Sequence, residues 1–216
     1  MLTDPDPRLF ILWIIVPPTW PCGLAISDLC GDPAGKRWGE SMILDELGPR
    51  ICIMGPSNSG KSTLAVAIGR ARGLPPIHLD RLHHRPGTDW EPRPDHEFRA
   101  LHDAAIREPC WVMDGNYTRC LPQRLEQATG VILLDVPTAT SLVRYLRRCW
   151  FERDRPGALD GGRDSVKWDM IRHIVVATPA NRKRNVAQFD RIGLPKLRLE
   201  TPGALARFYL TAGLER

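Results

Sequence analysis

One run, Ile51-Cys-Ile-Met-Gly-Pro-Ser-Asn-Ser-Gly-Lys-Ser-Thr63, constrains this chain more than any other stretch. Within it, Gly55 to Ser62 fits the pattern G-x-x-x-x-G-K-[ST] without a mismatch. The flanks suit the motif. Ile51 to Met54 is a short apolar run of the kind a buried strand needs, and Thr63 to Arg70 has the apolar content of a helix lying on a sheet. A phosphate chain needs many donors converging on it, and backbone N–H groups supply them without long side chains. Gly55 and Gly60 let the backbone approach and turn, and the helix that follows adds its unpaired N–H groups and positive dipole end. Lys61 would reach the outer phosphates. The Ser62 hydroxyl would sit on Mg²⁺, which keeps several waters and bridges phosphate oxygens. The predicted nucleotide-binding set is therefore Gly55, Pro56, Ser57, Asn58, Ser59, Gly60, Lys61, Ser62 and Thr63, with ATP and Mg²⁺ as the implied ligands. A Gly/Ser turn with a chance lysine is the bland alternative, and the strand–helix context argues against it.

From Arg50 onward short apolar runs alternate with helical stretches, which predicts a parallel sheet covered on both faces. Strands are expected at 51–54, 76–80, 110–114, 131–136 and 196–200. Helices are expected near 60–72, 95–107, 119–128, 139–151 and 202–212. The fold class is α/β: a three-layer P-loop domain over residues 49–216 with a five-stranded parallel sheet and a small arginine-rich lid. The 216-residue length suits one such domain.

In such sheets ligands bind beyond the carboxyl ends of the strands. Asp80 and Asp114 stand at two of those ends, and Asp135 lies near a third. A carboxylate there would hold a Mg²⁺ water or orient an attacking hydroxyl; the alternative is an Asp that caps the next turn. The loop 81–94, with His83, His84 and Trp90, would wall an acceptor pocket. His78, His83 and His84 make an incomplete metal set.

A second arginine-rich feature follows. Arg144 and Arg148 share a helix face, with Arg147 beside them. From Arg144 to Arg198 there are 14 Lys/Arg against six acids. A turn-rich stretch at 152–163 reads as a flap whose arginine forks suit a transferring phosphoryl group, or as a solvated basic face.

Charge and cysteine usage bound the rest. Residues 1–48 carry three Lys/Arg against seven Asp/Glu, and residues 49–216 carry 27 against 18. Only five of the 30 basic residues are lysine, and arginine suits fork-like contacts with phosphate oxygens. Nucleic acid is a possible partner that the composition does not indicate. The six cysteines form no C-x-x-C pair, so all are expected reduced and the chain cytoplasmic. The apolar run Leu9–Val16 is too short to span a bilayer, which takes about 20 residues. Residues 1–48 are expected to be a disordered extension or a non-native start, with Met42 as the functional beginning.

Taken in order, Gly55–Ser62, Leu79-Asp80 with Trp90 downstream, Val112-Met-Asp114-Gly-Asn-Tyr117, Val131–Val136 and Leu142-Val-Arg144 with Arg148 resemble the adenylate-kinase-like P-loop proteins. The likeness is nearest to the small bacterial proteins labelled DNA topology modulation proteins. That resemblance implies ATP and Mg²⁺ roles for Lys61 and Ser62, an acidic role for Asp114, acceptor contact by Arg119 and phosphate contact by Arg144 and Arg148. Two departures from true adenylate kinases are Lys61-Ser62 after the loop glycine and the lack of an AMP-pocket signature. The expected activity is transfer of the ATP γ-phosphoryl group to a small nucleotide-like or hydroxylated acceptor. The alternative is an ATP-binding regulatory or DNA-associated protein with little kinase activity.

Overall fold

The computed structural model describes residues 42–88, 90–151, 172, 175–176 and 178–215. The expectations for residues 1–41, for the flap at 152–163, and for the side chain of Arg148 fall outside them.

In chain order the elements are α1 (Met42–Glu46), β1 (Arg50–Met54), α2 (Lys61–Arg72), β2 (Pro76–His78), α3 (Leu79–His83), α4 (Asp95–Ile106) and β3 (Trp111–Asp114). There follow α5 (Leu121–Gln127), β4 (Gly130–Leu134), α6 (Thr138–Phe151), α7 (Thr178–Asp190), β5 (Lys196–Leu199) and α8 (Pro202–Thr211). The five strands pair in the order β2-β3-β1-β4-β5, every pair parallel. This is the α/β P-loop architecture expected from the sequence.

Strand periodicity separates the two apolar layers. Cys52, Met54, Met113, Val131 and Leu133 point to one face, where Phe98 and Ile106 of α4, Leu121 of α5 and Phe189 of α7 cover them. Ile51, Ile53, Val112, Ile132 and Leu134 point to the other, under Leu64 and Ile68 of α2, Leu44 of α1 and Leu205 and Phe208 of α8. Both faces being covered explains why the central strands read as unbroken apolar runs. Residues just before β1 also pack on this body. Leu44 and Leu47 are buried, the Leu47 carbonyl accepts from Thr129 Oγ1 at 2.8 Å, and Arg72 donates to the Leu44 carbonyl. α8 is capped as its sequence suggests: Thr201 Oγ1 accepts from the Ala204 N–H at 3.0 Å and Pro202 opens the first turn.

Four expectations change. β2 stops at His78, because Leu79 and Leu82, three apart, turn a buried stripe toward the core and start a helix. Asp80 thus lies in a helical first turn and not at a strand end. The stretch 84–93 is an ordered hairpin. His84 bridges Pro92, the Arg85 N–H donates to the Glu91 carbonyl at 2.9 Å, and Arg93 ties three carbonyls of residues 81, 82 and 84. Helix α7 was not foreseen. Its fully buried residues are Thr178, Asn185 and Phe189, too mixed to leave an apolar period. Finally, Cys110 is disulfide-bonded, so the six thiols are not all reduced, while Cys52 and Cys120 are free. Spacing in sequence says little about which cysteines meet in space, and the cysteine argument for a cytoplasmic chain falls away. No helix among the described residues is long and apolar enough to cross a membrane.

Candidate active site

The loop between β1 and α2 is held open by its backbone. Gly55 has φ 148°, and a Cβ there would lie 2.5 Å from the Leu134 carbonyl oxygen, so only glycine fits between the loop and β4. Asn58 and Gly60 follow at φ 60° and 98°. These two left-handed residues curl the backbone into a tight turn before α2, within which the Ser59 N–H donates to the Pro56 carbonyl at 3.3 Å. Pro56 and Ser59 are buried under this turn, Ser57, Asn58 and Gly60 are partly covered, and Thr63 is exposed on the first turn of the helix.

Two side chains brace the loop. The Asn116 amide pairs with Gly55 as a strand would: its Oδ1 accepts from the Gly55 N–H at 3.1 Å and its Nδ2 donates to the Gly55 carbonyl at 2.8 Å. Arg144, on α6, donates to the Ser59 carbonyl. Asn116 is a functional candidate that motif reading missed. Its only trace in sequence is the break Asp114-Gly115-Asn116 at the end of β3. Gly115 is needed there, at φ 127° with room for a Cβ closed by Leu79 at 2.9 Å.

Lys61 folds back over the loop, its Nζ donating to the Pro56 carbonyl at 2.7 Å. Burial lowers its pKa, and the carboxylates of Asp114 and Asp80 work against that shift. Ser62 Oγ donates to Asp114 Oδ2 at 2.5 Å. The other carboxylate oxygen, Oδ1, meets His78 Nδ1 at 2.7 Å. Burial alone would raise the Asp114 pKa. His78, the Ser62 hydroxyl and Lys61 together hold it below the ordinary carboxylate value. An ionised carboxylate and a hydroxyl side by side are a hard oxygen pair that fits Mg²⁺, which takes few protein ligands and completes its shell with water and phosphate. Among the described residues no group of three or more His, Cys, Asp or Glu is arranged to hold a metal ion.

Beneath this cluster lies a second residue without a sequence signal. Arg124 of α5 is 1% exposed and its Nη2 donates to the Asn116 carbonyl at 3.1 Å. It shares the inward face of α5 with Leu121, three residues earlier. Burial lowers its pKa and pushes the neighbouring Cys52 thiol up to about 11.

Asp80 stands on the far side of Lys61. Its Oδ1 accepts from the Tyr117 hydroxyl at 2.8 Å. Burial and the Asp80 charge push the Tyr117 pKa well up, so the phenol stays protonated and donating. Arg119 does not join the cluster: it is 79% exposed, with Nη1 3.8 Å from Asp95 Oδ1.

The end of β4 is built differently. Asp135 is 1% exposed and saturated by arginines. Arg198 of β5 donates to its Oδ2 through Nη2 at 2.6 Å and Nε at 3.2 Å, and Arg182 of α7 donates to its Oδ1. Burial would raise this carboxyl too, and the two guanidinium groups hold it down. These residues line a cleft of about 450 Å³ with Thr138 and Lys183.

No family model and no curated protein matches the chain. Among solved structures, a gluconokinase from Sinorhizobium meliloti 1021 is 18% identical with a TM-score of 0.36, the match covering 66% of this chain and 98% of that one. A shikimate kinase from Bacteroides thetaiotaomicron is 21% identical with a TM-score of 0.45, covering 75% of this chain and 97% of that one. Neither likeness bears on the chemistry of this chain, and neither is to a protein labelled for DNA topology.

Proposed function

We propose that this protein moves the γ-phosphoryl group of ATP to a hydroxyl of a small acceptor. The observation that supports it most is the joining of the Ser62 hydroxyl to the Asp114 carboxylate at 2.5 Å beside the loop glycines, with Lys61 folded over the same loop. In this reading the loop 55–63 cradles the phosphates, with backbone N–H groups where it turns into α2, from Gly60 to Thr63, as the donors. Lys61 leaves the Pro56 carbonyl for the phosphate oxygens. Ser62 and Asp114 would hold Mg²⁺, which supplies charge neutralisation at the phosphates. Arg144 stands against the loop at Ser59 and, with Arg148, would meet the charge that builds on the transferring group. Asp80 would accept the hydroxyl of the acceptor, and Arg119, which stands in solvent beside Asp95, would have to swing inward to touch it. Most of the rate would come from positioning and charge stabilisation. The reaction needs ATP, which points to the cytoplasm. Residues 49–216 would form the catalytic domain, with α1, Leu44 and Leu47 packed into its core.

A DNA-associated role finds less support. In the basic run 182–184, Arg182 is committed to Asp135 and Arg184 to Asn181. The likeness to proteins labelled for DNA topology adds no catalytic step.

The test is a coupled ADP-release screen of the full chain over nucleotides, sugar acids and other alcohols. At least one acceptor should raise turnover far above ATP hydrolysis in its absence. If none does, the kinase reading is wrong.

A further inference from the structure

Beside Asp80 stands a wall of rings. His83 packs against Tyr117 with centroids 5.0 Å apart and against Phe98 at 5.1 Å, and Phe98 meets Tyr117 at 5.1 Å. His84 stands edge-on to Trp90 at 5.2 Å. One of these rings, His83, comes from α3; His84 and Trp90 come from the hairpin, Phe98 from α4 and Tyr117 from the loop after β3. Five aromatic or imidazole rings from four segments therefore converge on the neighbourhood of one exposed carboxylate.

Three details make this more than packing. Only Phe98 is buried; His83, His84, Trp90 and Tyr117 all keep part of their surface open. Trp90 sits at φ 60°, a backbone region that a bulky residue rarely adopts and that persists only where the surroundings impose it. Those surroundings are the hairpin bonds and the three carbonyls held by Arg93. Third, the Tyr117 hydroxyl occupies Oδ1 of Asp80, leaving Oδ2 as the acceptor for an incoming hydroxyl. Burial and His84 lower the His83 pKa, which keeps that ring neutral and suited to stacking.

Resting on the kinase reading above, we infer that the acceptor is an alcohol carried on a flat aromatic or heteroaromatic ring, bound against Tyr117, His83 and Trp90 with its hydroxyl on Asp80. The ring faces supply area at little conformational cost and favour offset or edge contacts with another ring. An open-chain polyol or sugar acid would instead need several polar partners. Here Arg93 is already committed to carbonyls, and Arg119 lies in the solvent beside Asp95. In the step itself, the hydroxyl oxygen bonds to the γ-phosphorus of ATP. The bond from that phosphorus to the bridging oxygen breaks, ADP takes the electron pair, and the hydroxyl proton passes to Asp80 and then to water.

The experiment uses the full chain with ATP and Mg²⁺ and two acceptor panels, one of hydroxymethyl-pyridines and nucleosides, the other of open-chain polyols and sugar acids. Ligand-observed NMR with a non-hydrolysable ATP analogue reads ring contact separately. Ring alcohols should raise ADP release at least tenfold and show saturation transfer from the protein to ring protons. Trp90→Ala should raise KM for the ring alcohol about tenfold, with KM for ATP within twofold, and Trp90→Phe should recover most of the loss even if the alanine variant folds poorly. Turnover with open-chain polyols alone overturns this inference and leaves the kinase reading standing. Ring contact by NMR without ADP release overturns the kinase reading, and with it the transfer step. No contact and no turnover overturn both.

Discussion

Two carboxylates, Asp114 at the end of β3 and Asp135 just past β4, stand on either side of β1 at the carboxyl edge of the same sheet. Both are buried, and both are held below the ordinary carboxylate pKa. Asp114 is held by a hydroxyl and an imidazole, partners that can rearrange when a cation or phosphate arrives. Asp135 is held by two guanidinium forks, which take its lone pairs and clamp α7 to β5. The first arrangement keeps ligand capacity in reserve, and the second uses it to fix the fold. Carboxylates at comparable topological positions can therefore do unlike work, and the partners decide which.

The largest expected effect lies at the β1–β3 end. Lys61→Ala removes the one ammonium group folded over the loop. Turnover should fall by about 10²–10³-fold, the usual cost of deleting a charge stabiliser in a preorganised site. Thermal unfolding should move little, because Lys61 bonds only a loop carbonyl. Steady-state kinetics beside a melting curve measures both. Unchanged turnover would erase the distinction between the two ends.

Arg198→Ala is the converse. It leaves Asp135 buried with one partner, which should cost about 2 kcal/mol, below the range for fully buried pairs because both arginines are partly exposed. For a chain of this size that lowers Tm by about 4–8 °C. Turnover of the surviving fold should stay within about twofold. If activity collapsed while Tm held, the β4–β5 end would belong to the site after all.

The same contrast explains what the sequence discloses. The loop Gly55–Ser62 is readable because its backbone demands glycine at fixed places, and the strands because burial on both faces leaves apolar runs. Asp114 is readable from its place at a strand end. The sequence does not tell Asp114 from Asp135, because their partners are remote: His78 is 36 residues from Asp114, and Arg198 is 63 from Asp135. Asn116 and Arg124 stay hidden for a related reason, since one imitates a backbone pairing and the other is an arginine on a buried helix face. α7 leaves no period because two of its three buried residues, Thr178 and Asn185, are polar. Arg119, expected at the acceptor, points instead to Asp95, one more partner that spacing alone does not supply.

Asn116→Ala sharpens the comparison within the β1–β3 end. It strips the Gly55 N–H and carbonyl of their side-chain partners without touching any charge. The expected cost is about 1–2 kcal/mol, felt as roughly tenfold weaker ATP binding by calorimetry. Asn116→Asp would keep the acceptor for the N–H but place a carboxylate oxygen against the Gly55 carbonyl, so it should bind no better. Wild-type affinity in both variants would mean that the loop holds its shape unaided.

The smallest effect is one of pH. A carboxyl whose folded pKa lies below its unfolded value of 3.8 gives up its proton more readily in the folded state. Its stabilisation is therefore fully present above that unfolded value and drains away as pH falls toward the folded one. Urea midpoints taken downward from about pH 6 should trace this loss, and Asp114→Asn and Asp135→Asn should each flatten the acid limb. ATP with Mg²⁺ then separates them. Ligand that binds the folded chain at Asp114 should extend the wild-type limb to lower pH, by mass action. The Asp135→Asn variant should respond as the wild type does, since that carboxylate meets arginine and no ligand, whereas Asp114→Asn should respond weakly. Equal responses in the two variants would mean that the two ends do not differ in ligand capacity, however unlike their partners.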